Sequence, residues 1–235
     1  MFMGHYAPAV WLGRREEKEE PIKLWQAFVA VQAIDIVFCI MAIFGLEGSL
    51  IENGEPVFNI PWSHSLLSSI LISGFVGLAF IWWKKPLRWK AFWVMSSLVF
   101  SHWLMDFIVH RPDLPLYPGA EEVYGLGFWN FPWLAYVLEI GLLFVGFIYW
   151  VRATTPRRKL YKIAPWVLFV LMCGMQFGAI TLPGLHVQNG TFDPASQPQG
   201  VFLGISGLIT FFALSVAIRW IEAGRDFKMG QLSST

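Results

Sequence analysis

His102, Asp106 and His110 recur at every fourth residue in the stretch SHWLMDFIVHRPDLPLYP, residues 101–118. On a helix, positions i, i+4 and i+8 share one face, with ~6 Å of axial rise per step. Imidazole nitrogen and carboxylate oxygen on adjacent turns can chelate one ion, as HxxxH pairs do for zinc. His110, one turn further along, would reach a second ion or a bound substrate. The setting makes the three stand out. The first half of the stretch is otherwise apolar enough for lipid, where an ionisable group costs ~2.5–3.5 kcal/mol at a helix centre.

Other apolar runs carry a few more such groups. Asp35 lies in VQAIDIVF, Glu139 in AYVLEIGLL, and His64 in WSHSLL at the start of a run. His5 falls in the N-terminal apolar stretch, and His186 in GLHVQNG, where nothing nearby fixes it. Each has a plain structural alternative. A lone histidine in an apolar helix is commonly a hydrogen-bonded core residue, and a lone acid pairs with Arg or His. Asn130 in GLGFWN either orients substrate or caps the helix it precedes. Arg111 and Asp113 can pair around the RPDLP turn. Taken together, Asp35, His64, His102 and Asp106 point to a metal site, because no Lys or Arg shares the membrane interior with the acids to neutralise them. Imidazole with carboxylate suits zinc, iron or manganese better than copper(I).

These side chains must be positioned by membrane helices. The 235 residues are 56% hydrophobic and only 14% charged, with 13 tryptophans and 21 phenylalanines. That leaves too little polar surface for a water-soluble body. Six runs, near 24–46, 64–83, 89–109, 131–151, 163–182 and 201–221, are long enough to span a bilayer, which takes ~20 residues. The reading is an all-α, polytopic six-transmembrane-helix bundle forming a single integral membrane domain over 1–235. Basic residues set its orientation. In an alternating six-span arrangement, 16 of the 17 Lys and Arg residues fall on one side, and Arg111 is the exception. By the positive-inside rule both termini face the cytoplasm, and the linkers 47–63, 110–130 and 183–200 face outward. Trp62, Tyr117, Trp129 and Trp133 then fall where an interfacial aromatic belt belongs. Cys39 and Cys173 read as buried thiols rather than a disulfide framework. A net charge of +1 gives no case for nucleic acid.

This orientation aligns the candidates. At 1.5 Å per residue, His102 and Glu139 each lie ~12 Å below the outer edge, with Asp35 slightly deeper and His64 at the outward end of its helix. Four helices thus present nitrogen and oxygen ligands at nearly one level.

GHYAPAV at the N-terminus, WSHSLL opening a helix, and SHWLMDFIVHRPDLPLYP together resemble the bacterial inner-membrane metal-dependent hydrolases of the LexA-binding type. The resemblance covers about the first 120 residues. That family is in turn similar, distantly, to the all-α zinc-dependent phospholipases C. The resemblance implies that His5, Asp35, His64, His102 and Asp106 are metal ligands, with His110 and Glu139 serving a further ion. It also implies a bacterial inner-membrane location. The chain departs from the pattern before His64, where PWSHS replaces the usual context. It also has Ala135 one turn before Glu139, so the second HxxxE-type helix of the phospholipases is missing. With the N-terminus cytoplasmic, His5 can join the site only if residues 1–12 re-enter the bundle, for which they are long enough.

The expected function is a zinc-type hydrolase acting on a phosphodiester or ester of a lipid-like substrate at the outer leaflet. The metal would polarise the scissile oxygen and lower the pKa of water to ~7. Asp35, Glu139 or His110 would handle the proton, with Arg111 and Asn130 contacting substrate. Two other classes use the same residues. One is a non-catalytic subunit holding haem, pigment or quinone, with facing histidines as axial ligands. The other is a metal or proton carrier using the acids as a pathway.

Overall fold

A computed structural model describes residues 1–12, 22–52, 55–83, 88–196 and 200–228. Arg14, Arg15, Lys18, Lys84 and Lys85, which entered the orientation argument, lie outside these residues. Helix dominates. Trp89–Val109, Pro132–Ala153, Lys159–Gln188 and Gly200–Ala223 are each long and apolar enough to cross a membrane, and Leu66–Trp82 is a shorter apolar helix. The bundle presents apolar side chains outward, with Phe75 73% and Trp82 86% exposed. An outer surface of this kind suits lipid and not water.

The first expected span is not one helix. It divides into α2 (Leu24–Val31) and α3 (Ala33–Ile43), bent by 50° at Gln32, and counts as a fifth span only if the pair is taken together. Val31, the last residue before the bend, gives its carbonyl to a side chain of another helix, as described below. α4 (Leu66–Trp83) and α5 (Arg88–Val109) pack as a pair. α6 (Pro132–Ala153) opens on a proline at its first turn, where the missing N–H costs nothing. The span expected at 163–182 changes character near its end. α7 (Lys159–Gln176) passes into a π-helical segment, Phe177–Thr181, and then a short helix α8 (Leu182–Gln188). α9 (Gly200–Ala223) runs back along α3. Here the sequence must be small, since a Cβ on Gly204 would sit 2.4 Å from the Cys39 carbonyl oxygen. This is the close approach that glycines at helix spacing permit between membrane helices.

The expectation of an all-α chain is corrected in detail by three two-stranded antiparallel sheets. β1 (Gly48–Glu52) pairs with β2 (Glu55–Asn59), β3 (Leu114–Pro115) with β4 (Val123–Tyr124), and β5 (Thr154–Pro156) with β6 (Arg225–Phe227). The first lies in the linker after α3 and the second in the linker after α5, so they frame one end of the bundle. The third closes the other end. There Arg225 donates to Thr154 Oγ1 at 2.8 Å and lies over the Trp150 ring.

The N-terminal residues are part of the core. A 3-10 turn, Met3–His5, leads into α1 (Tyr6–Leu12), which packs against α6 and α2. Met3, His5, Tyr6, Ala9 and Val10 are buried. Residues 1–12 therefore fold into the bundle, as a role for His5 requires.

Candidate metal centre

α5 supplies the axis of the site. His102 and Asp106 lie on one face, one turn apart, and His102 Nε2 is 3.1 Å from Asp106 Oδ2. The other ring nitrogen fixes the tautomer. His102 Nδ1 donates to the Val31 carbonyl at 2.7 Å, since a carbonyl can only accept. In the neutral ring Nε2 then carries the lone pair, and it faces carboxylate oxygen on two sides, with Asp35 Oδ1 at 3.5 Å.

Three further elements converge there. Asp35 comes from the first turn of α3, and its Oδ1 is 3.3 Å from His64 Nε2. His64 also reaches Asp106 Oδ2 at 3.6 Å. The turn before α4 presents it. Glu47 Oε1 accepts from the backbone N–H groups of Trp62 and Ser63, at 2.6 and 2.9 Å, and Ser63 Oγ pairs with His64 Nδ1 at 2.7 Å. His5 enters from the N-terminal segment. Its Nε2 is 3.0 Å from Asp106 Oδ1, and its ring stacks on His102 with centroids 3.5 Å apart. The Met1 nitrogen also lies against Asp106 Oδ1.

Ligand atoms of His5, Asp35 and His102, and of His64, His102 and Asp106, lie close enough together to share an ion. Four of these five residues are buried, and the Asp35 side chain is 14% exposed. The fit is chemical as well as spatial. His5 Nε2, His102 Nε2 and Asp106 Oδ2 have no hydrogen-bond partner although acceptor atoms surround them. A buried unpaired acceptor costs ~1–3 kcal/mol, more when charged. Lone pairs converging in a buried space are stabilised by a cation between them, and His/Asp donor sets hold divalent metals.

His110 belongs to the same group. Its Nε2 is 3.5 Å from Asp106 Oδ1, and its Nδ1 donates to Asp113 Oδ1 at 2.8 Å. Asp113 thus serves His110, where the sequence suggested a local pair with Arg111. Glu139 sits differently from the metal-facing acids. Its Oε2 accepts from the backbone N–H groups of Phe2 and Gly4, at 2.9 and 3.2 Å, and Trp129 Nε1 reaches Oε1 at 3.3 Å. It anchors the segment that delivers His5. Gln176 helps, accepting from Met3 N–H at 2.9 Å. Asn130 makes no side-chain cap at α6 and instead accepts from Arg111 Nε at 2.7 Å.

Beside the centre lies a cavity of about 500 Å³. Phe2, Phe58 and Trp129 form the wall nearest His110, whose ring centroid is 4.3 Å from Trp129 and 5.7 Å from Phe58. Trp129 is therefore a site residue, not a member of the aromatic belt, whereas Trp62, Tyr117 and Trp133 are more than half exposed. Arg111 and Asp113 line the same space, and so does His186, whose Nδ1 pairs with Thr191 Oγ1 at 2.9 Å. His186 ends α8 in place of lying in an unstructured loop.

Sequence reasoning missed Asp113, Glu47 and Gln176. Asp113 had a usable signal, the HxxD spacing from His110. Glu47 and Gln176 act on backbone N–H groups distant in sequence, and no local pattern marks such a contact.

No family model, no curated protein and no solved structure matches this chain.

Proposed function

We propose that the chain is a membrane-embedded, metal-dependent hydrolase of the zinc type, acting on an ester or phosphodiester of a lipid-like substrate at the outer leaflet. The observation that carries this reading is the convergence of His5, Asp35, His64, His102 and Asp106 from four separate segments next to a largely apolar cavity, with His5 Nε2, His102 Nε2 and Asp106 Oδ2 making no hydrogen bond. The six-span topology with both termini cytoplasmic, the inner-membrane location and the kinship with LexA-binding-type membrane hydrolases belong to the same proposal. They rest on the basic-residue pattern and on the motifs around His5, His64 and His102.

His5, Asp35, His64, His102 and Asp106 hold the ion. A divalent metal supplies Lewis-acid polarisation of a carbonyl or phosphoryl oxygen and makes water more acidic. The protein supplies the rest. His110, with Nδ1 held by Asp113, offers Nε2, 3.5 Å from Asp106 Oδ1, as the proton-accepting atom beside the centre. A base oriented by a carboxylate is the arrangement general base catalysis needs. Glu139 is committed to the N-terminal segment and is not the base. Arg111, oriented by Asn130, contacts the polar end of the substrate. Phe2, Phe58 and Trp129 keep bulk water from the centre.

No macrocycle fits between the stacked rings of His5 and His102, whose centroids are 3.5 Å apart. The test is turnover of ester and phosphodiester lipids in proteoliposomes by zinc-loaded protein. Hydrolysis lost with a chelator and in His110→Ala supports the proposal. Zinc-loaded, folded protein that cleaves neither class overturns it.

A further inference from the structure

The cavity beside the centre has a shape and lining that go beyond a generic lipid-like substrate. Its far wall is built by the π-helical segment, α8 and the start of α9, through Ala179, Ile180, Leu182, Val187 and Leu203. Its near wall is the aromatic group that touches His110. Polar side chains line it in two places, Arg111 and Asp113 beside the centre, and Thr181, His186, Thr191 and Asp193 on the side of α8 and the loop after it. About 500 Å³ lies in the ~300–1,000 Å³ range of small-molecule sites, which are mostly apolar with a few placed polar groups. The cavity also abuts the lipid-facing surface. Leu182 lines it and is 41% exposed, and Phe202, next to Leu203, is 67% exposed.

We infer that this cavity binds a single-chain amphiphile drawn sideways from the bilayer, with one hydrocarbon chain along the α8 wall and its ester or phosphoester head toward His110 and Asp113. This rests on the hydrolase reading for its direction, though not for its existence. The apolar wall formed by Ala179, Ile180, Leu182, Val187 and Leu203 takes one chain, and Arg111 and Asp113 beside the centre take one head. The aromatic wall sets how far the head can advance. The π-helical turn widens the helix where Ala179 and Ile180 face the cavity, and Ala179 is the small residue that leaves room for the chain.

Photo-crosslinking in phosphatidylcholine nanodiscs tests this. The probe is a lysophosphatidylcholine with a diazirine at the chain end, with sites of attachment mapped by mass spectrometry. A diacyl phosphatidylcholine with the same diazirine serves as the comparison. The expected result is attachment from the single-chain probe within 179–203, reduced about tenfold by Ala179→Trp and by Leu203→Trp. Both variants should keep the wild-type zinc content and elution profile, which separates a filled cavity from an unfolded chain. Attachment spread evenly over exposed faces such as Phe75 and Trp93, unchanged by both variants, would overturn the inference. Equal attachment by the diacyl probe at the same residues would overturn the single-chain assignment. Cavity labelling in a protein that carries no metal would sink the hydrolase reading and leave the binding site standing.

Discussion

At the scale of single residues, the Val31 carbonyl decides the chemistry of His102. By accepting the Nδ1–H hydrogen bond it leaves Nε2 of the neutral ring as the ligating atom, beside Asp35 and Asp106. Outer partners of this kind fix ligand orientation, and their loss typically costs ~10–100-fold in affinity or activity. Asp113 plays that part for His110. Asp113→Asn should retain zinc and lower hydrolysis by ~10–100-fold. Steady-state kinetics checks this, and an unchanged rate would make Asp113 a turn residue only. Several site residues were legible because charge is expensive in lipid, and Asp35, His102, Asp106 and Glu139 stood out on that ground. The role of Glu139 was not legible, since a buried acid that serves backbone N–H groups looks the same in sequence as one that serves an ion. Asp113 reads as a partner for Arg111 within the RPDLP turn, because neighbours in a turn are the first pairing a sequence suggests, and that reading leaves its HxxD spacing from His110 unused.

At the scale of elements, the N-terminal segment is the least expected part. Twelve apolar residues are too few to span, and in the fold they deliver His5 to Asp106 through backbone bonds to Glu139 and Gln176. Hydrogen bonds to a charged acceptor contribute ~1.5–3 kcal/mol each. Glu139→Leu should therefore raise hydrogen exchange at residues 2–5 and lower metal content, while α7 and α9 keep their protection. Exchange mass spectrometry checks it, and unchanged exchange at residues 2–5 would remove the anchoring role. A second prediction concerns α3 against α9. Gly204→Leu places a side chain where only 2.4 Å separates a Cβ from the Cys39 carbonyl oxygen, and overpacking of this kind costs ~1–3 kcal/mol or more. It should lower the thermal midpoint of the purified protein, and an unaltered midpoint would contradict the close packing. The apolar runs of α5, α6 and α9 were readable from length and hydropathy. The bend at Gln32 was not, because no Pro or Gly marks it and the apolar pattern continues across it. The β1–β2 hairpin did carry a signal, since Asn53-Gly54 between β-branched and aromatic residues is a hairpin sequence.

At the scale of the whole molecule, one end of the bundle carries the centre, the cavity and two hairpins, and the other carries the β5–β6 closure and its Arg157–Asp226 ion pair. If the basic residues set the orientation, the end with the cavity faces outward. Single cysteines at Tyr117 and Asn189 should then react with an impermeant maleimide on intact cells, and one at Lys162 only after lysis. The reverse pattern would invert the topology and place the site on the cytoplasmic leaflet. Every larger conclusion depends on whether the buried His and Asp groups hold an ion at all. The direct measurement is elemental analysis of the purified, folded protein beside His102→Ala and Asp106→Ala. The account predicts a stoichiometric divalent metal in the wild type and its loss in both variants at unchanged helical content. Wild-type protein that binds no metal when dialysed against zinc, iron or manganese would contradict it.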